Sequence, residues 1–177
     1  MLSGCGQYLG DYSVEKVEVV RVLPTSFPND AQSYGKFLAV TLASRTSLTA
    51  LGDKVGAVYV QADFCPLRDP YALVTLGPVS ENGRDLSLRS TAVRLRPDGD
   101  GRFRYRIYLV PAHPMPGVHY SKSAMERPRY NLGEANRDVC IRLFSPGYNL
   151  IPSKSQAITI RAGLIEAALV HGDGGAR

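Results

Sequence analysis

The chain has 177 residues, of which 44% are apolar and 21% charged. That suits one domain with a sizeable core, and no apolar run approaches the ~18 residues of a helix that crosses a membrane. The formal net charge is +5, and sixteen of the 21 basic residues are arginine. Arginine's planar fork pairs bidentately with carboxylate or phosphate, so the bias suits an acidic protein partner or an anionic membrane surface; a GC-rich genome, whose codons favour arginine, explains it equally well.

In chain order, the first feature is a motif. Leu2-Ser3-Gly4-Cys5 resembles a bacterial lipobox, Leu-[Ala/Ser]-[Gly/Ala]-Cys, whose cysteine sulfur takes a diacylglycerol and becomes the mature N-terminus. A chance match on a frayed end is the alternative. The lipobox reading predicts lipidation at Cys5 and an export leader that residues 1–4 do not themselves supply. With Gly6 rather than aspartate following, it also predicts sorting to the outer membrane. Residues 1–12 are then lipobox and tether, 13–170 a single β-domain and 171–177 a disordered tail.

Period-two runs punctuated by Gly and Pro follow. Strands are predicted at Val14–Leu23, Lys36–Ser44, Val55–Phe64 and Tyr71–Gly77. Residues 86–97 then run into Asp98-Gly99-Asp100-Gly101 and out through 102–110, which reads as a hairpin on a Gly-rich turn. In its second arm Phe103, Tyr105, Ile107 and Leu109 alternate with Arg102, Arg104, Arg106 and Tyr108, and in its first Val93 and Leu95 alternate with Arg94 and Arg96. One face is apolar and the other is arginine. Residues 111–136 carry four prolines and predict a long irregular loop. Strand signal returns at Arg137–Phe144 and at 155–162, while 163–170 suits a last strand or a short helix. About eight strands with little helix predict an all-β fold, an antiparallel, loosely immunoglobulin-like β-sandwich with a long Pro-rich loop.

Of the three cysteines, Cys5 is the odd one out. Cys65 and Cys140 would pair as a disulfide in an oxidising periplasm; two separate buried thiols are the alternative. No paired CxxC spacing suggests zinc. No G-x-S-x-G, HExxH or P-loop occurs, so no enzyme, cofactor or metal site is expected. His113 and His119 lie in the Pro-rich loop and read as solvent-facing imidazoles.

Two features suit binding. The arginine face, with Arg94, Arg96, Arg102, Arg104 and Arg106, sets like charges together, which costs stability unless acids offset it. Glu15 and Glu18 of the first strand are candidates within the fold, and an acidic partner is the other source. The long loop offers Tyr120, Arg127, Arg129 and Tyr130, residue types enriched at interfaces.

With Cys5 in its lipobox, "VYVQADFCP" (Val58–Pro66) and "DVCIRLFSPGYNL" (Asp138–Leu150), the layout resembles small periplasmic lipoproteins assigned to type VI secretion immunity. The resemblance implies a non-enzymatic protein, lipid-anchored to the outer membrane and facing the periplasm. Its implied role is to bind and block a toxic effector, and the arginine-rich face suits an acidic one. A structural lipoprotein of a secretion or envelope assembly is the alternative. An exported chain would not meet nucleic acid, despite its basic charge.

Overall fold

The computed structural model describes residues 7–27, 29–68, 72–80, 86, 95–115, 128–146 and 152–173. It is mostly β, and its sheets are antiparallel. The strands described are β1 (Ser13–Val20), β2 (Phe37–Ser44), β3 (Tyr59–Phe64), β4 (Thr75–Ser80), β5 (Phe103–Leu109), β6 (Ala112–His113), β7 (Tyr130–Asn131), β8 (Val139–Ser145), β9 (Ser153–Lys154) and β10 (Ile158–Ile160). One sheet runs β1-β2-β5-β4, and a second runs β10-β8-β3 with β9 also on β8. A third holds only β6 and β7. Helices cover Asn29–Gln32, Leu48–Val55, Leu132–Ala135 and Ala162–Asp173.

The two larger sheets share one core. Leu38, Val40 and Leu42 of β2 and Tyr105, Ile107 and Leu109 of β5 meet Val60 and Ala62 of β3 and Val139, Ile141 and Leu143 of β8. Strand β2 reads FLAVTLAS, apolar almost throughout, because its other face is covered as well. Phe37 and Ala39 join Leu23, Phe27, Ala31, Tyr108 and Val110 in a second cluster. Its cover comes from the β1–β2 connection, held by the Gln32 side chain, which accepts from Leu23 N at 3.1 Å and donates to Leu23 O at 3.3 Å.

Side chains and short pairings close the seams. At one, Leu73 N donates to Ala62 O at 3.1 Å and Thr75 Oγ1 to Val60 O at 3.0 Å, joining β4 to β3. At the other, Ser155 lies between β9 and β10 and holds them to β8: its Oγ accepts from Leu143 N at 3.0 Å and its N donates to Leu143 O at 2.9 Å. The core tyrosine Tyr105 ties in the loop after β2. It accepts from Leu48 N and donates to Thr46 O, both at 2.8 Å. Replacing it with phenylalanine strands both backbone groups, so Tyr105→Phe should cost about 1–3 kcal/mol in a chemical denaturation experiment.

Cys65 and Cys140 form a disulfide. It ties the residue that follows β3 to β8 within one sheet, beside the Asp63–Cys140 register pair.

Several expectations are corrected. Residues 7–12 are no tether. Leu9 is fully buried and Tyr12 lies in the core. Gln7 N donates to Ser153 Oγ at 2.9 Å, Leu9 N to Lys154 O at 3.0 Å and Ser44 Oγ to Asp11 O at 2.6 Å. The expected tail is helical through Asp173, and of the two readings open for 163–170, strand or short helix, the helix is the one that forms. That helix is capped from a distance: Asp138 accepts from Ala162 N at 2.9 Å while meeting the Arg161 guanidinium. The hairpin partner is also different. From Tyr105 to Leu109 one edge of β5 is taken by β2, and Tyr105, Arg106, Tyr108 and Leu109 pair with β4 on the other. Leu95 instead donates its amide to Thr49 Oγ1 at 3.1 Å. Residues 87–94 of the expected first arm lie outside the described residues. The Pro-rich loop is not irregular throughout, since Ala112–His113 pairs with Tyr130–Asn131 and a short helix follows at Leu132–Ala135.

Candidate interaction surface

The outer face of the first sheet is built by alternation. With Tyr105, Ile107 and Leu109 turned into the core, Arg104 and Arg106 of β5 must point outward. Between β5 and β1 lies β2, whose outward residues here are Thr41 and Ala43, opposite Arg106 and Arg104. Their small side chains let both guanidinium groups reach over β2 to acids on β1. A bulge between Val14 and Lys16 accommodates Glu15 as an extra residue in that strand.

The result is two clusters of ion pairs, one around Arg104 and one around Glu18. Arg104 donates to Glu15 through Nε at 2.8 Å and Nη2 at 3.2 Å, and to Asp100 through Nη2 at 2.8 Å. Asp98, from the same turn, also pairs with its Nη1. Arg106 lies 3.4 Å from Glu18, which Lys16 approaches at 2.7 Å, and Arg102 lies 3.9 Å from Glu15. Arg102, Arg104, Arg106 and Lys16 thus face Glu15, Glu18, Asp98 and Asp100, four cations against four carboxylates. The repulsion expected of the arginine ladder is offset within the fold. Arg104 is its fixed centre, with a side chain only 23% exposed. Arg102 at 44% and Arg106 at 42% remain open to a partner.

The Arg104 guanidinium and the Arg102 amide hold the Asp100 carboxyl below its ordinary 3.8. A depressed folded-state pKa contributes stability that is present above the unfolded value and lost as pH falls through the folded one. Asp100→Asn should therefore melt earlier than the parent at pH 6. The gap should close below pH 3.8, as read by calorimetry across that range.

Beside Arg106 the same face opens into a cleft of about 80 Å³. Thr41, Val79, Ser80, Arg106 and Tyr108 line it, with Pro24 at one side. At ~30 Å³ per water, it has room for two or three waters or one carboxylate. Burial raises the Tyr108 phenol, and the adjacent Arg106 partly reverses this, so the hydroxyl stays protonated at neutral pH. Arg106 and the hydroxyl-bearing Thr41, Ser80 and Tyr108 give the cleft a polar lining beside Val79 and Pro24. Arg106 was legible in the sequence as one of this face's arginines. Thr41 and Ser80 were not, because only the pairing of β2 and β4 with β5 brings them there.

The other predicted residues divide into three groups. Arg96 and Arg129 are exposed. Tyr130 is committed to the fold: its hydroxyl accepts from Val74 N at 3.0 Å and donates to Val110 O at 3.1 Å. His113, expected to face solvent, is buried at β6 and stacks on Tyr130 at 6.0 Å between ring centroids. Cys5, Arg94, His119, Tyr120 and Arg127 lie outside the described residues. Among the described residues, no three or more His, Cys, Asp or Glu side chains group where they could hold a metal ion.

No family model, no curated protein and no solved structure matches this chain.

Proposed function

We propose that the chain is a non-enzymatic periplasmic lipoprotein, anchored to the outer membrane through Cys5, that binds another protein. Its most specific form is an immunity protein that neutralises a secreted toxic effector. The observation that carries the reading is the Cys65–Cys140 bridge. Protein disulfides persist in the periplasm and are reduced in the cytosol. The lipobox-like Leu2–Cys5, the resemblance of the layout to type VI immunity lipoproteins and the cleft beside Arg106 support it further. In the same reading, the eight strands of the two larger sheets form a loosely immunoglobulin-like β-sandwich.

The binding face is narrower than five arginines. Arg104 organises the turn, whereas Arg102 and Arg106 present charge to a partner whose acidic side chain enters the cleft. Charge of this kind speeds encounter more than it tightens the complex. The test starts from crosslinking in intact cells and isolation of the partner through a C-terminal tag. An immunity role requires that the partner be toxic in the periplasm and that this chain suppress the toxicity. Arg102→Glu with Arg106→Glu should then slow association and flatten its salt dependence. Unaltered association kinetics would remove this face from the interaction. Recovery of a secretion or envelope component that is not toxic would favour the structural lipoprotein instead.

A further inference from the structure

The structure places an aromatic and basic row across the second sheet at the end where the chain enters it. Tyr59 of β3 pairs with Phe144 of β8, Phe144 pairs with Lys154 of β9, and Lys154 bridges to Tyr8. Their neighbours Val60 and Leu143 point into the core, so Tyr59 and Phe144 share the outer face. Their rings lie 5.7 Å apart. Tyr8 is 56% and Tyr59 40% exposed, two of the five large apolar side chains that stand exposed among the described residues. Lys154 is exposed beside them. Arg45 is exposed at the same end: it adjoins Ser44, whose hydroxyl holds Asp11, and Thr46, which lies against Gly10.

The Gln7 amide is hydrogen-bonded to Ser153 and Leu9 is fully buried, so the chain is fixed from residue 7 onward. Cys5 is two residues earlier, and two residues span at most ~7 Å. A lipid on Cys5 therefore leaves almost no leash between the bilayer and the Gln7–Leu9 edge.

We propose that this end of the domain, with Tyr8, Tyr59, Phe144, Lys154 and Arg45, rests on the surface of an anionic phospholipid bilayer and fixes the orientation of the domain. The proposal rests on lipidation at Cys5. Amphipathic rings and long basic side chains are what sits at the headgroup level, rings at the boundary and charges among phosphates. The opposite end, where Ile160 and Arg161 lead into the helix Ala162–Asp173, then points away from the membrane. Acidic Asp11 at the docking end is engaged by the Tyr8 hydroxyl rather than facing the phosphates alone.

The test uses the acylated chain purified from bacterial membranes and reconstituted into phosphatidylethanolamine–phosphatidylglycerol vesicles. With Cys5 alkylated and Cys65 and Cys140 bridged, one added thiol can be labelled with an environment-sensitive fluorophore. The label at Tyr59→Cys or Lys154→Cys should emit at shorter wavelength and be quenched by brominated acyl chains. The label at Glu166→Cys, on the C-terminal helix, should behave as in water. Adding Tyr8→Ser and Lys154→Glu should abolish the quenching at Tyr59→Cys while the protein stays vesicle-bound. Water-like emission at both docking positions, in protein whose N-terminal peptide carries the acyl mass, overturns the orientation and leaves lipidation standing. An N-terminal peptide without acyl mass overturns both.

Discussion

Replacing Cys65 and Cys140 together by serine should destabilise the domain by about 4–5 kcal/mol, the largest effect expected of any pair of substitutions here. The bridge closes a loop of 75 residues in sequence. In the chain-entropy view, its main effect is on the unfolded ensemble, which loses the conformations in which the two residues lie far apart. The folded state loses little, because Asp63 and Cys140 already pair across β3 and β8 and hold the two cysteines close. Urea unfolding of the parent, the parent with reductant, and the double serine variant should separate the first curve from the other two. A loss below ~1 kcal/mol would mean that the reduced unfolded chain is already compact there.

The second large effect belongs to Leu9. It is fully buried, in the segment that crosses from the edge of one sheet to the start of β1. Leu9→Ala should cost about 2–5 kcal/mol, combining lost transfer energy with the cavity left behind. Little relaxation is available. Leu9 O accepts from the Tyr12 hydroxyl at 2.8 Å, and Leu9 N is bound to Lys154. Gly10 has φ +98 and sits so close to Thr46 that an added Cβ would come within 2.1 Å of its hydroxyl. Hydrogen exchange should show residues 7–12 of the variant opening without the rest. Absence of protection at residues 7–12 already in the parent would return these residues to the role of a loose tether.

The contrast between these residues and the strands explains what the sequence made legible. Strand β5 was readable because one face is apolar and the other charged, so period two survives in plain view. Strand β2 was readable as an unbroken apolar run, for the opposite reason that both its faces are covered. The pairing of Cys65 with Cys140 followed from setting Cys5 aside. The failures are just as physical. The pairing of β5 with β4 was hidden because Gly77 and Pro78 sit inside β4, where the register shifts between Leu76 and Val79, and break its alternation. The Asp98–Gly101 turn pointed to the wrong partner, although the turn itself forms: Gly101 N donates to Asp98 O at 2.8 Å. The C-terminal helix reads AGLIEAALVHGD and lacks the polar stripe by which an amphipathic helix is recognised. At the binding face, Arg104 and Arg106 were visible. Their neutralisation by Glu15, Glu18, Asp98 and Asp100 depended on a register two strands wide. The docking of Gln7 and Leu9 depends on residues more than 140 positions away, such as Ser153, and no local pattern encodes it.

Location and attachment both depend on the fifth residue, Cys5. The chain should be expressed from its native locus, extracted from the envelope and digested, and its first peptide weighed. That peptide should begin at Cys5, bear a diacylglyceryl thioether and an amide-linked third chain, and come from protein whose Cys65–Cys140 pair is oxidised. A first peptide that carries Met1 and an unmodified Cys5 thiol would contradict the envelope role and, with it, the membrane-resting orientation.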